Sequence, residues 1–122
     1  MADKTKRPKG FLRRCIDRRY HEETRKLFEK ATGLSNTDYW DEGIAGGAAV
    51  EADSTGADYA AHHGASLWGW GAHGSTCGGQ PGASDAESAA RLDRNITKLK
   101  PKYRGRHFRI FVTDDSADIH EV

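Results

Sequence analysis

Two spacings of apolar residues take turns along this chain. Tyr20, Thr24, Leu27, Phe28 and Ala31 recur three or four apart, which puts them on one face of a helix. Gly33 follows as a C-terminal stop. A second helix is predicted over 54–63, carrying Tyr59, Ala60 and Ala61 and ended by Gly64. A third begins at Ser84, which forms a capping box with Glu87. Leu92, Ile96 and Leu99 line one face of it before Pro101, where a helix cannot continue. Short runs of strand character lie between the helices. They are 10–15 through Phe11, Leu12 and Cys15, 38–45 leading into Gly46-Gly47, 66–72 (Ser-Leu-Trp-Gly-Trp-Gly-Ala), and Phe108 to Val112. The glycines of 66–72 lower its strand propensity, while its aromatics suit a buried strand. A turn at Asp114-Asp115-Ser116 leads into a short last segment, Ile119 to Val122. Strands alternating with helices predict an α/β fold, a mainly parallel central sheet flanked by helices.

Composition narrows this picture. A chain of 122 residues supplies one modest core and not two. Residues 1–9 are basic and polar and are expected to form a disordered leader, which leaves 10–122 as a single domain. Apolar residues make up 36% and charged residues 30%, so burial is economical and a partner subunit is expected to complete the core. No apolar run approaches the roughly 18 residues that span a bilayer. The start has no apolar h-region of a secretory signal. The expectation is a cytoplasmic protein with free thiols.

Net charge is only +1 but unevenly spread. Basic residues crowd the first nineteen positions, and a second basic cluster, Lys98 to Arg109, interleaves Tyr103 and Phe108. Basic arms with aromatics bind nucleic acid. The near-neutral balance favours instead a solvated arm and charges compensated by Asp and Glu. Trp40, Trp68 and Trp70 read as core or interface residues. His21, His107 and His120 lie in polar stretches and are expected on the surface.

The chemistry concentrates at the two cysteines of the sequence, Cys15 and Cys77. Cys15 opens Cys15-Ile16-Asp17-Arg18-Arg19, and Cys77 closes His73-Gly74-Ser75-Thr76-Cys77. Two sulfurs and one imidazole make three ligands and leave a fourth tetrahedral position open, the count of catalytic rather than structural zinc. In an extended segment, positions 15, 17 and 19 face one side. Asp17 is then placed to accept a hydrogen bond from water on the metal, with Arg19 holding it ionised. Cys15 at the end of the first strand and His73 beyond the third both fall at strand carboxyl ends, where ligands gather in such sheets. The alternatives are ordinary buried thiols and a structural Asp17–Arg19 ion pair. Gly46-Gly47 and Gly78-Gly79 lack phosphate-binding patterns and read as turns.

Cys15-x-Asp17-x-Arg19, then Ile44-Ala45-Gly46-Gly47, then Asp58 to Ala65, then His73 with Cys77-Gly78-Gly79, resembles the β-class carbonic anhydrases in order and type. The end, Phe108 to Val122, is similar to that family's final strand and closing hairpin-like segment. The likeness runs over roughly 11–122. It implies a zinc lyase, a carbonic anhydrase interconverting carbon dioxide and bicarbonate by attack of zinc-bound hydroxide. Cys15, His73 and Cys77 would be the Zn2+ ligands and Asp17 with Arg19 the orienting dyad, making 10–122 a zinc-binding domain. An exposed histidine such as His62 or His63 is a candidate proton relay, the relay residue itself being left open. A homodimer or larger homo-oligomer is expected, with the site near a subunit interface. Three residues separate His73 from Cys77, and a bulge at Gly74 is expected to absorb this spacing. The alternatives are a zinc-stabilised relative without turnover, and a hydrolase of carbonyl sulfide or carbon disulfide.

Overall fold

Eight regular elements follow one another in the computed structural model, which describes residues 7–122. They are β1 (Gly10–Cys15), α1 (Arg18–Thr32), β2 (Tyr39–Ile44), α2 (Thr55–His62), β3 (Leu67–His73), α3 (Asp85–Leu99), β4 (Arg106–Val112) and β5 (Ala117–Glu121). Single 3-10 turns occupy Gly47–Ala49 and Lys100–Lys102. The first six residues of the expected leader lie outside the described part.

The strands form one sheet in the order β2-β1-β3-β4-β5. Its first four strands are parallel, and β5 folds back antiparallel on β4, pairing Ile110 with Ile119. The sheet is therefore mainly parallel with helices on both faces, as the alternating pattern predicts. On one face Phe11, Trp68, Trp70 and Ala72 pack against Ala57 and Ala60 of α2 and Leu92 and Ile96 of α3. On the other, Leu12, Phe108, Ile110 and Val112 pack with Tyr20 and Phe28 of α1. The glycines of β3 have a use here. A Cβ at Gly69 would stand 2.7 Å from the Phe28 ring, so the bare backbone lets α1 approach the sheet.

Helix ends follow their local signals. Ser84 accepts the Glu87 N–H and Glu87 reaches back to the Ser84 N–H, the capping box read from sequence. Gly33 takes the left-handed conformation after α1 and returns its N–H to the Glu29 carbonyl at 2.8 Å.

Polar residues inside the sheet find specific partners. Arg13 is 2% exposed and donates from Nε to Glu42 at 2.6 Å and from Nη2 to the Asp53 carbonyl at 3.0 Å. Arg14, on the opposite face, forms a two-pronged pair with Asp41 at 2.9 and 3.0 Å. The surface position expected for His107 is corrected: the ring is buried. Its Nδ1 accepts from Trp70 Nε1 at 3.0 Å and its Nε2 donates to the Tyr103 carbonyl at 2.8 Å. The tryptophan N–H needs a partner in the core, and His107 supplies it. His120 is exposed and His21 half-buried. Trp68 and Trp70 are core residues, and Trp40 packs partly buried against them.

Half of the six lysines and arginines in the basic cluster 98–109 are paired locally. Lys98 pairs with Glu51, Arg106 with Glu121 and Arg109 with Asp93, at 2.7, 2.7 and 2.6 Å. Tyr103 and Phe108 are buried in the two cores, so neither offers a face on which a base can stack.

Candidate metal centre

Adjacent parallel strands end side by side, and that geometry assembles the centre. Cys15 is the last residue of β1 and His73 the last of β3. Cys77 enters from the loop before α3. All three are buried, and their ligand atoms lie within 4.8 Å of one another. The thiols are free, with Sγ atoms 3.8 Å apart. Two sulfurs bound at about 2.3 Å to one tetrahedral ion are separated by about 3.8 Å, so the pair stands at the spacing a shared ion requires. His73 donates from Nδ1 to the Gly74 carbonyl at 2.7 Å, which leaves Nε2 as a lone pair. That nitrogen is buried without a hydrogen-bond partner. A buried polar atom left alone is costly; a cation beside two sulfurs satisfies it.

Two glycine turns bring the sulfurs together. Gly47 is left-handed, and a Cβ there would stand 2.2 Å from the Gly71 carbonyl and 2.7 Å from the Cys15 N–H. A Cβ at Gly79 would stand 2.3 Å from the Gly46 N–H. The turns after β2 and after Cys77 thus meet backbone to backbone, and the Gly46 N–H donates to Cys15 Sγ at 3.3 Å.

The spacing between His73 and Cys77 is absorbed differently from expectation. The left-handed residues are Ser75 (φ 53°) and Thr76 (φ 70°), not Gly74. Such residues cost roughly 1 kcal/mol or more each, so outside contacts must hold them. Asp85, the first residue of α3, accepts the Ser75 N–H at 2.7 Å. Ser75 Oγ accepts the Asp114 N–H at 3.0 Å, and Arg19 donates to the Thr76 carbonyl at 3.1 Å.

Asp17 and Arg19 meet as expected, but not along an extended strand. The chain turns into α1 at Arg18, with Asp17 as its N-cap, because the carboxylate satisfies an orphan N–H at the helix start. Asp17 Oδ1 accepts the Arg19 N–H at 3.0 Å, and Oδ2 takes the Arg19 guanidinium at 2.8 Å. The Arg19 hydrogen bonds hold the Asp17 carboxyl down to about 2. Its Oδ2 lies 3.6 Å from His73 Nε2.

The sulfurs differ electrostatically. Burial pushes the Cys15 thiol up, but His73 and the Asp17 and Gly46 N–H groups outweigh it and bring it to about 7. Burial pushes Cys77 up, and neighbouring Cys15 adds to the rise. Burial pushes His73 down, yet contact with Cys15 and Gly74 raises it above its ordinary value.

His62 and His63 are not near this centre, which corrects their expected relay role. They end α2, whose exit leads to Ser66, bonded to the Lys9 carbonyl at the start of β1. The seven residues of β3 separate them from His73 by about 20 Å. His63 stacks instead on Tyr59 with ring centroids 4.2 Å apart. The sequence reading missed Tyr20, taken as part of a helix face. Its ring stacks on His73 at 4.3 Å and its hydroxyl donates to Asp114. Adjacency to Arg19 was the available signal. Asp85 had a signal only as the residue following the cap Ser84.

A mainly parallel five-stranded sheet in this order, flanked by helices, with a Cys-His-Cys cluster at its carboxyl edge, has a β-carbonic-anhydrase-like fold. No family model and no curated protein sequence matches the chain. Solved structures do. The carbonic anhydrase of Streptococcus mutans superposes with a TM-score of 0.62 at 19% identity, covering 95% of this chain and 83% of that one. The β-carbonic anhydrase isoform I of the protozoan Trichomonas vaginalis superposes with a TM-score of 0.54 at 13% identity, covering 99% and 86%. At these identities the likeness establishes the fold.

Proposed function

We propose that this protein is a zinc lyase that interconverts carbon dioxide and bicarbonate. The observation that carries the reading is the orphaned His73 Nε2 beside two sulfurs at ion-sharing distance, within 3.6 Å of a carboxylate already engaged by Arg19. Cys15, His73 and Cys77 would hold the ion, and Asp17, paired with Arg19, stays outside their set. A zinc ion bound there supplies the Lewis acidity that makes water nucleophilic near neutral pH. The chain's own residues do the rest. Asp17, ionised down to about pH 2, accepts the O–H of the attacking water and turns its lone pair towards the carbon of the substrate. Arg19 fixes the rotamer of Asp17 and ties it to the loop bearing Cys77. Tyr20, stacked on His73 and anchored on Asp114, fixes the imidazole plane.

The active unit is a homodimer. Ile16, between Cys15 and Asp17, exposes 61% of its surface, an apolar side chain beside the centre that a second copy would cover. Carbonyl sulfide and carbon disulfide share the linear shape of carbon dioxide, and assaying each in parallel separates them.

Metal analysis with stopped-flow hydration tests the reading. The expected result is one zinc per chain, lost in Cys77→Ser, with hydration well above the buffer rate. A zinc-loaded protein hydrating at the buffer rate overturns the lyase and leaves a zinc-stabilised protein without turnover.

A further inference from the structure

Only two buried side-chain nitrogen or oxygen atoms among the described residues lack a hydrogen-bond partner, His73 Nε2 and Gln80 Nε2. The first belongs to the metal centre. The second has no place in the chemistry described so far, yet it belongs to a residue one turn from Cys77.

The backbone folds Gln80 over Cys77. The Gln80 N–H donates to the Cys77 carbonyl at 3.0 Å, and the Gln80 carbonyl accepts from Ala83 at 3.1 Å. The side chain is 2% exposed. Its amide orientation is decided by Arg91, whose Nη1 donates to Gln80 Oε1 at 3.3 Å. A guanidinium has no acceptor, so the amide oxygen faces Arg91 and the nitrogen faces away. That nitrogen, on a buried side chain one turn from Cys77, closes no hydrogen bond.

A protonated thiol is a weak acceptor, whereas a metal-bound sulfur is a thiolate. The donor on Gln80 therefore has a partner only when Cys77 is a ligand. We propose that Gln80 is a positioning residue of the metal centre: its amide, braced by Arg91, donates a hydrogen bond to the sulfur of Cys77 when that sulfur holds a metal ion. This rests on the metal-binding reading of Cys15, His73 and Cys77. The bond orients Sγ and draws electron density from it, which offsets the strong donation of two thiolates and keeps the ion a better Lewis acid.

Two variants test this, Gln80→Met, which keeps the volume and loses the donor, and Arg91→Met, which keeps the amide and loses its brace. Zinc affinity is read by competition with a chromophoric chelator, and sulfur electronics by the charge-transfer band of the cobalt(II)-loaded protein. Urea unfolding in excess chelator reads metal-free stability. Gln80→Met is expected to bind zinc about ten-fold more weakly or worse, with the cobalt band moved to lower energy. Its metal-free unfolding midpoint should match or exceed that of wild type, because an unsatisfied buried donor has been removed. Arg91→Met should move affinity and band in the same direction by less, and it keeps the test decisive if Gln80→Met does not fold. Unchanged affinity and band in a variant whose wild type binds zinc overturns the role of Gln80 alone. An affinity loss matched by lost metal-free stability also overturns it, since Gln80 is then a loop brace. Absence of zinc binding by wild type overturns this inference together with the metal centre.

Discussion

Replacing Asp17 by Asn separates the structural work of this residue from its chemical work. The carboxylate has two structural duties, capping α1 through the Arg19 N–H at 3.0 Å and pairing with the Arg19 side chain at 2.8 Å. Asn caps a helix about as well as Asp, so the first duty changes by only a few tenths of a kcal/mol. The Arg19 side chain is 56% exposed, and an ion pair in solvent contributes little to stability. Asp17→Ala loses the cap as well, at a cost of about 1 kcal/mol. With a urea slope of about 2 kcal/mol/M, Asp17→Ala should lower the unfolding midpoint by about 0.5 M and Asp17→Asn by much less. Activity should behave oppositely. An amide can present its N–H to the attacking water, and the loss of a positioned acceptor is worth about 10²–10⁴ in rate. The proposed role of Asp17 requires the ionised carboxylate. Its folded pKa is depressed from 3.8 to about 2, so its stabilising contribution is present above 3.8 and lost as pH falls through 2. Neither limit interferes with assays at pH 7–8. Stopped-flow hydration and urea unfolding on the same preparations check both sides. An Asp17→Asn protein hydrating within about three-fold of wild type would refute the dyad's chemical role. A large midpoint loss in that variant would refute the division of labour.

Glu42→Ala leaves the buried Arg13 guanidinium with the Asp53 carbonyl and no counter-charge; because Glu42 is 27% exposed, the loss should fall near the low end for a broken buried pair, about 3 kcal/mol. Arg13→Met, which removes the charge and keeps the volume, should stay within about 1 kcal/mol of wild type, and equal midpoint shifts in urea would contradict this. His107 is held neutral by burial, its pKa below the ordinary 6.5. The unfolded chain takes up that proton first, so stability should fall as pH drops below 6.5, by up to about 1.4 kcal/mol per unit. His107→Gln, which offers Trp70 an acceptor and Tyr103 a donor, should remove that slope, as unfolding at pH 7.5 to 5.5 will show. Gly33→Ala should cost only about 1 kcal/mol, since nothing lies within 4 Å of its Cβ. Gly47→Ala meets the Gly71 carbonyl and the Cys15 N–H and should cost more and weaken zinc binding, measured by chelator competition.

What the sequence revealed divides along a physical line. Elements set by local periodicity were legible: α1 on its Tyr20-Thr24-Phe28 face, α3 from its capping box, and β3 despite its glycines, all to within a few residues. The Cys15 motif pointed to residues that the structure does bring together, a Cys15-His73-Cys77 cluster beside an Asp17–Arg19 pair. Asp17 as an N-cap was also legible in principle, since helical spacing starts at Tyr20. Alternation along a strand was the competing pattern, and the capped N–H groups won. The side chains misplaced or missed are those whose partners lie far along the chain. His107 is buried because it serves Trp70, 37 residues earlier. Arg13 is buried because Glu42 and Asp53 reach it from 29 and 40 residues away. Tyr20 meets Asp114 across 94 residues. Each pairing is fixed by strand order and register, which no local pattern encodes. The same register brings Cys15 to Cys77 across 62 residues. The Cys-His-Cys cluster left a trace in sequence because few residue types can ligate a metal. A satisfied core polar group has no such signature, and Gln80 is where the two cases meet. Its oxygen is met by Arg91 on α3, and its lone donor is the group proposed above to face the sulfur of Cys77.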